Sequence, residues 1–113
     1  MEYVATNNAP NAIGPYSQAV KANGLLFTSG QIAIKPATNA VEAKTIEEQT
    51  TQVCENLKAV VEAAGTDMNK VVKTVCFLAD INDFGTFNEI YGKYFTSKPA
   101  RSCVAVKQLP KDV

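Results

Sequence analysis

Residues 45–65 read TIEEQTTQVCENLKAVVEAAG and residues 70–78 read KVVKTVCFL, a stretch in which a helical period gives way to a strand. Thr45 followed by Glu48 fits a capping box, where the threonine oxygen and the glutamate satisfy free backbone donors at a helix start. Ile46, Val53, Leu57, Val60 and Ala64 then fall near one face, with Glu55, Lys58 and Glu62 opposite. Gly65 can take the left-handed conformation that ends a helix. The valine-rich run 70–78 predicts a strand buried on at least one face.

Upstream, residues 17–29 read SQAVKANGLLFTS, and Asn23-Gly24 is the pair that a tight type I′ turn demands, so two antiparallel strands are expected. Between residues 30 and 44 the period is lost and Pro36, Thr38 and Asn39 predict a surface loop. Downstream, residues 80–83 interrupt the strand, and Asp83 is placed to cap a second helix carrying Phe84, Phe87, Ile90 and Tyr94 three or four residues apart. Gly85 and Gly92 weaken that helix locally, and Ser97-Lys98-Pro99 stops it. From Ala100 to Val106 the period is two, with Arg101, Cys103 and Ala105 on one face and Ser102, Val104 and Val106 on the other. Short strand, hairpin, helix, strand, helix, strand is an α+β order, helices packed on a sheet. No linker or repeat divides residues 1–113, which are read as one domain.

A chain of 113 residues can bury roughly two-thirds of its unfolded surface, enough for one core. With 46% hydrophobic and 19% charged residues it has a globular composition, and its formal net charge of +0 speaks against RNA or an anionic membrane as a partner. The start MEYVATNN has neither a cationic nor a long apolar signal segment, which points to the cytosol, with mitochondria left open. Cys54, Cys76 and Cys103 are odd in number and widely spaced, so reduced thiols are expected rather than a disulfide framework or a zinc pair. The chain has no histidine, which removes the commonest general base, the commonest metal ligand and any Ser-His or Cys-His nucleophile.

The remaining chemistry rests on an anion clamp, hydroxyls, amides, carboxylates or a thiol. Arg101 opens the last strand and can grip a carboxylate with two parallel hydrogen bonds; its competing reading is a surface or interface ion pair. Cys103 shares its face, though a cysteine is more commonly a small buried hydrophobe than a nucleophile. Tyr16 follows the rigid Gly14-Pro15 turn and can enter a pocket or simply pack against the turn. Ser29 and Gly30 end the hairpin with a hydroxyl and an unhindered backbone. Asn88 lies in the second helix, where asparagine is not a favoured residue unless it faces solvent or a ligand.

Together, residues 14–19 (GPYSQA), 27–31 (FTSGQ), 87–91 (FNEIY) and 99–103 (PARSC), with residues 50–56 and the 109–112 turn (LPKD), resemble in order and spacing the motif set of the Rid (YjgF-type, L-PSP) family. That resemblance implies a chorismate-mutase-like α+β fold: a mixed sheet packed on two helices, assembled as a homotrimeric barrel with ligand clefts between subunits. It implies that Arg101 holds the substrate carboxylate, while Tyr16, Ser29, Asn88 and the backbone of Gly30 and Cys103 orient imine and water. The implied reaction is hydrolysis of 2-iminobutanoate or 2-iminopropanoate to a 2-keto acid and ammonia, with no metal or organic cofactor. Other family labels imply alternatives, an endoribonuclease that inhibits translation or a non-catalytic module for small carboxylates. Typical members continue past the 109–112 turn into a strand bearing a glutamate that serves the water. This sequence stops at Val113, so the domain is expected to lack that strand and its acid, and neither Glu89 nor Asp112 matches the position.

Overall fold

Asn23 and Gly24 both take positive φ, 53° and 78°, in the computed structural model, which describes residues 1–113. Two left-handed residues in succession give a turn that follows the twist of its flanking strands. That turn joins β2 (Ala19–Ala22) to β3 (Leu25–Thr28), and β1 (Glu2–Val4) pairs with the other edge of β2, giving the antiparallel order β1-β2-β3. Alternation along β3 turns Leu26 inward and leaves Leu25 and Phe27 exposed.

Helix α1 runs from Ile46 to Ala63, and Thr45 caps it as expected: its Oγ1 accepts the Glu48 N–H at 3.2 Å. The reciprocal half of the box differs. Glu48 Oε1 accepts the Thr45 hydroxyl at 3.1 Å instead of the Thr45 backbone N–H. Gly65, at φ 88°, turns the chain out of the helix. Val60, Val61 and Ala64 are buried, but so are Thr50 and Asn56, two polar residues that an apolar period cannot reveal.

Asn56 explains why residues 30–44 are not wholly irregular. Its Nδ2 donates to the carbonyls of Ile32 (3.2 Å) and Ile34 (2.9 Å), while its Oδ1 accepts from Gln52 at 2.9 Å. Held there, Ile34–Lys35 (β4) and Ala40–Val41 (β5) pair as a small hairpin, with Asn39 at φ 57° in its turn. The expected loop is thus a loop with a ribbon inside it. Asn56→Ala strands two carbonyls at a site 1% exposed, and is expected to cost about 2–3 kcal/mol in denaturant-unfolding measurements.

Strands β6 (Lys73–Leu78) and β7 (Ala100–Ala105) are parallel, with Thr74 opposite Arg101 and Cys76 opposite Cys103. Helix α2 (Phe84–Tyr94) is their crossover. Asp83 does not cap it: Asp83 is already in the helical conformation and makes no side-chain capping bond. Asp80 does the work three residues earlier, accepting the Asn82 N–H at 2.9 Å and starting a 3₁₀ turn (Ile81–Asp83) that runs into α2. The helix ends at Tyr94, and Lys98, at φ 55°, redirects the chain before Pro99.

The strands are therefore mixed in sense, antiparallel in β1–β3 and parallel in β6–β7, and no hydrogen-bonded pair joins the two sheets. One cluster of Val4, Ala19, Val60 and Ala64 and a second of Cys54, Val61, Met68, Tyr91 and Phe95 form the core, and Leu26 packs against both. On the far side of the strands Val75, Phe77, Val104, Leu25 and Phe27 remain exposed, an apolar face with no helix over it. No helix is long and apolar enough to cross a membrane.

Candidate functional site

The period of two on β7 sends Arg101 and Cys103 toward α2 and leaves Ser102 and Val104 outside. Arg101 is the only arginine in the chain. Its Nη1 donates to Asn88 Oδ1 at 2.6 Å, and its Cζ lies 4.8 Å from the centre of the Tyr91 ring and 5.2 Å from that of Phe84. Residues 84, 88 and 91 lie three or four apart, so all three occupy one face of α2. The chain's ion pairs are Lys21–Glu2, Lys35–Glu42 and Lys58–Glu62, so Arg101 makes no surface ion pair within the chain. Its remaining N–H groups have no partner in the chain and are open to solvent.

Asn88 is half-buried, not on a solvated face. By accepting from Arg101 with its oxygen it must turn its amide N–H₂ away, which fixes a donor beside the guanidinium.

A second group forms at the start of the hairpin. Ser29 Oγ donates to the Ser17 carbonyl at 2.6 Å and the Ser29 N–H to the Gln18 carbonyl at 2.9 Å, tying the end of β3 to the 14–18 segment. Tyr16 N–H closes on the Gly14 carbonyl at 2.9 Å, in a turn that needs Gly14 at φ 138°, and the Tyr16 ring lies along that turn, 3.8 Å from where a Gly14 Cβ would stand, while the residue stays 55% exposed. Gly30 is exposed, and nothing lies within 4 Å of where its Cβ would stand. Tyr16, Ser29 and Gly30 thus share one rim and Arg101, Asn88 and Cys103 another, with no hydrogen bond between the rims inside one chain.

Gln18 organises the first rim, and only as part of a family motif was it visible in the sequence. It is buried; its Oε1 accepts the Thr6 N–H at 2.6 Å, and its Nε2 donates to the carbonyls of Thr6 (3.0 Å) and Pro10 (2.7 Å). Phe84 is legible only as part of the apolar period of the second helix, and Tyr91 only as the end of the 87–91 motif.

The cysteines, distant in sequence, converge behind β7, since Cys76 pairs in register with Cys103 and shares a packed cluster with Cys54. All three are free thiols. Burial, reinforced by Cys76 and Glu55, pushes the Cys54 thiol from 9.0 up to about 12. A folded-state pKa raised this way leaves stability intact below the unfolded value and withdraws it as pH climbs toward the folded one. Melting temperature is therefore expected to hold near neutrality and fall between pH 9.0 and about 12, with a shallower slope in Cys54→Ala. An unchanged slope assigns the loss to other groups.

The family model of Endoribonuclease L-PSP matches residues 6–113. A RutC family protein of Pyrococcus horikoshii is 53% identical over 113 residues, covering 99% of this chain and 90% of the relative. The 2-iminobutanoate/2-iminopropanoate deaminase of Salmonella typhimurium is 51% identical over 114 residues, covering 97% and 88%. Among solved structures, E. coli TdcF with bound serine superposes with a TM-score of 0.94 at 43% identity, over all of this chain and 91% of that one.

Proposed function

Because this chain belongs to the Endoribonuclease L-PSP family, the Rid or YjgF-type proteins, we propose that it hydrolyses small 2-imino acids to 2-keto acids and ammonia. The observation that carries this reading is the lone arginine, lodged on α2 with no carboxylate of its own chain beside it and N–H groups to spare. An acid of three or four carbons supplies the missing anion, and two parallel N–H···O bonds set its plane. The names of the relatives point the same way, since one acts on 2-imino acids and another structure holds serine.

In the proposed step a water oxygen bonds to the imine carbon, the C=N π pair moves to nitrogen and takes up the proton the water releases, and the resulting carbinolamine passes its hydroxyl proton to nitrogen as C=O forms and ammonia leaves. Arg101 fixes the carbon, while the Asn88 amide, the Tyr16 and Ser29 hydroxyls and the backbone of Gly30 and Cys103 orient imine and water. The clamp converts an encounter into an oriented attack, and the donors stabilise the tetrahedral species.

The two rims meet, in this reading, across a subunit boundary of a homotrimer, with the apolar face of Phe27, Val75, Phe77 and Val104 turned into a central barrel. An exposed apolar surface of this kind is the normal mark of an interface. The test is keto-acid release in a serine or threonine dehydratase reaction with and without the protein. A faster release is expected, and a rate equal to the blank defeats the proposal.

A further inference from the structure

We infer that Tyr91 and Phe84 are positioning residues for Arg101, two aromatic walls that hold the guanidinium so that its unpaired N–H groups face the ligand. This rests on the carboxylate reading of Arg101 and adds the device that makes the clamp rigid. An arginine side chain has several free torsions, and ordering them on binding subtracts from affinity. Here the ordering is done in advance. Asn88 holds Nη1 at 2.6 Å, and the Tyr91 and Phe84 rings lie 4.8 and 5.2 Å from Cζ, within the range of a cation–π contact.

The walls are themselves braced. Tyr91 shares a 2.7 Å hydrogen bond with Thr74, the residue paired with Arg101 on the neighbouring strand. Phe95 stacks on the Tyr91 ring at 4.4 Å and Phe87 meets it tilted at 5.6 Å. Ring, strand and guanidinium therefore form one closed unit: Arg101 on β7, Thr74 on β6 and Tyr91 on α2. Tyr91 is 8% exposed, which keeps its ring from swinging away, whereas Phe84 is only half-buried and forms the open lip.

A single arginine gives a single Nε–Hε signal in arginine-labelled protein, so the cradle can be watched directly. The signal is expected to be rigid and shifted upfield by ring currents, and to move when 2-ketobutyrate is added. Phe84→Leu and Tyr91→Leu are each expected to free the signal and to weaken 2-ketobutyrate binding by roughly threefold to thirtyfold. Tyr91→Phe keeps the ring and should keep most of the affinity. Should Tyr91→Leu fail to fold, Phe84→Leu at the half-exposed lip carries the test. A wild-type signal as mobile as free arginine overturns the cradle, as does unchanged affinity and mobility in both leucine variants. A rigid, ring-shifted signal that ignores 2-ketobutyrate overturns instead the carboxylate reading on which the role depends.

Discussion

Arg101→Ala is expected to weaken 2-ketobutyrate binding by roughly a hundredfold and to erase the acceleration of keto-acid release. The size follows from what the alanine removes, a charge and a two-pronged donor, with no second arginine in the chain to take over. Arg101→Lys restores the charge but not the planar fork, so a loss of roughly tenfold remains. Lysine also forfeits the flat contact with Tyr91 and Phe84. Because Arg101 is half-exposed, water can satisfy Asn88 in the alanine variant, and melting should change little. Calorimetry and a coupled keto-acid assay read both quantities. Wild-type affinity in Arg101→Ala removes the basis of the proposed function.

The second large effect is on stability. Gln18→Ala deletes four hydrogen bonds at a residue 4% exposed and leaves the carbonyls of Thr6, Ala9 and Pro10 facing a small void. Buried polar groups left unpaired cost about 1–3 kcal/mol each, part of which relaxation or an entering water recovers. A net loss of about 3 kcal/mol is expected, and a fall in melting temperature of roughly 10 °C or more. Gln18→Glu should be at least as damaging, because it replaces an amide donor by a carboxylate oxygen aimed at three carbonyls. Either variant also loosens the Ser17–Ser29 tie beside it, so Tyr16 and Ser29 lose their placement together. Wild-type melting in Gln18→Ala would mean that the 6–10 loop is held by other contacts.

The features legible in the sequence are those whose signal is local. The Thr45 half of the capping box, the Asn23-Gly24 turn and the alternation through Arg101 and Cys103 each belong to a few consecutive residues, and each is present in the structure. Asp83 is not the cap because Asp80 intercepts the chain first and begins a 3₁₀ turn, a choice between two nearby acids that spacing leaves open. Within the expected 30–44 loop the small ribbon has no local signal, because it is held by Asn56, more than twenty residues away.

By itself the sequence determined the two helices and the longer strands, the α+β class, the family, and the pairing of Arg101 with Cys103 on one strand face, since periodicity, turn chemistry and ordered motifs are properties of neighbours in the chain. Only the tertiary structure decided that Arg101 meets Asn88 rather than a carboxylate, that Tyr91 and Phe84 flank it, and that three distant cysteines converge behind it. Those contacts join β6, α2 and β7 through a parallel crossover. Their register is set by how α2 packs on the strands, and no interval along the chain encodes it.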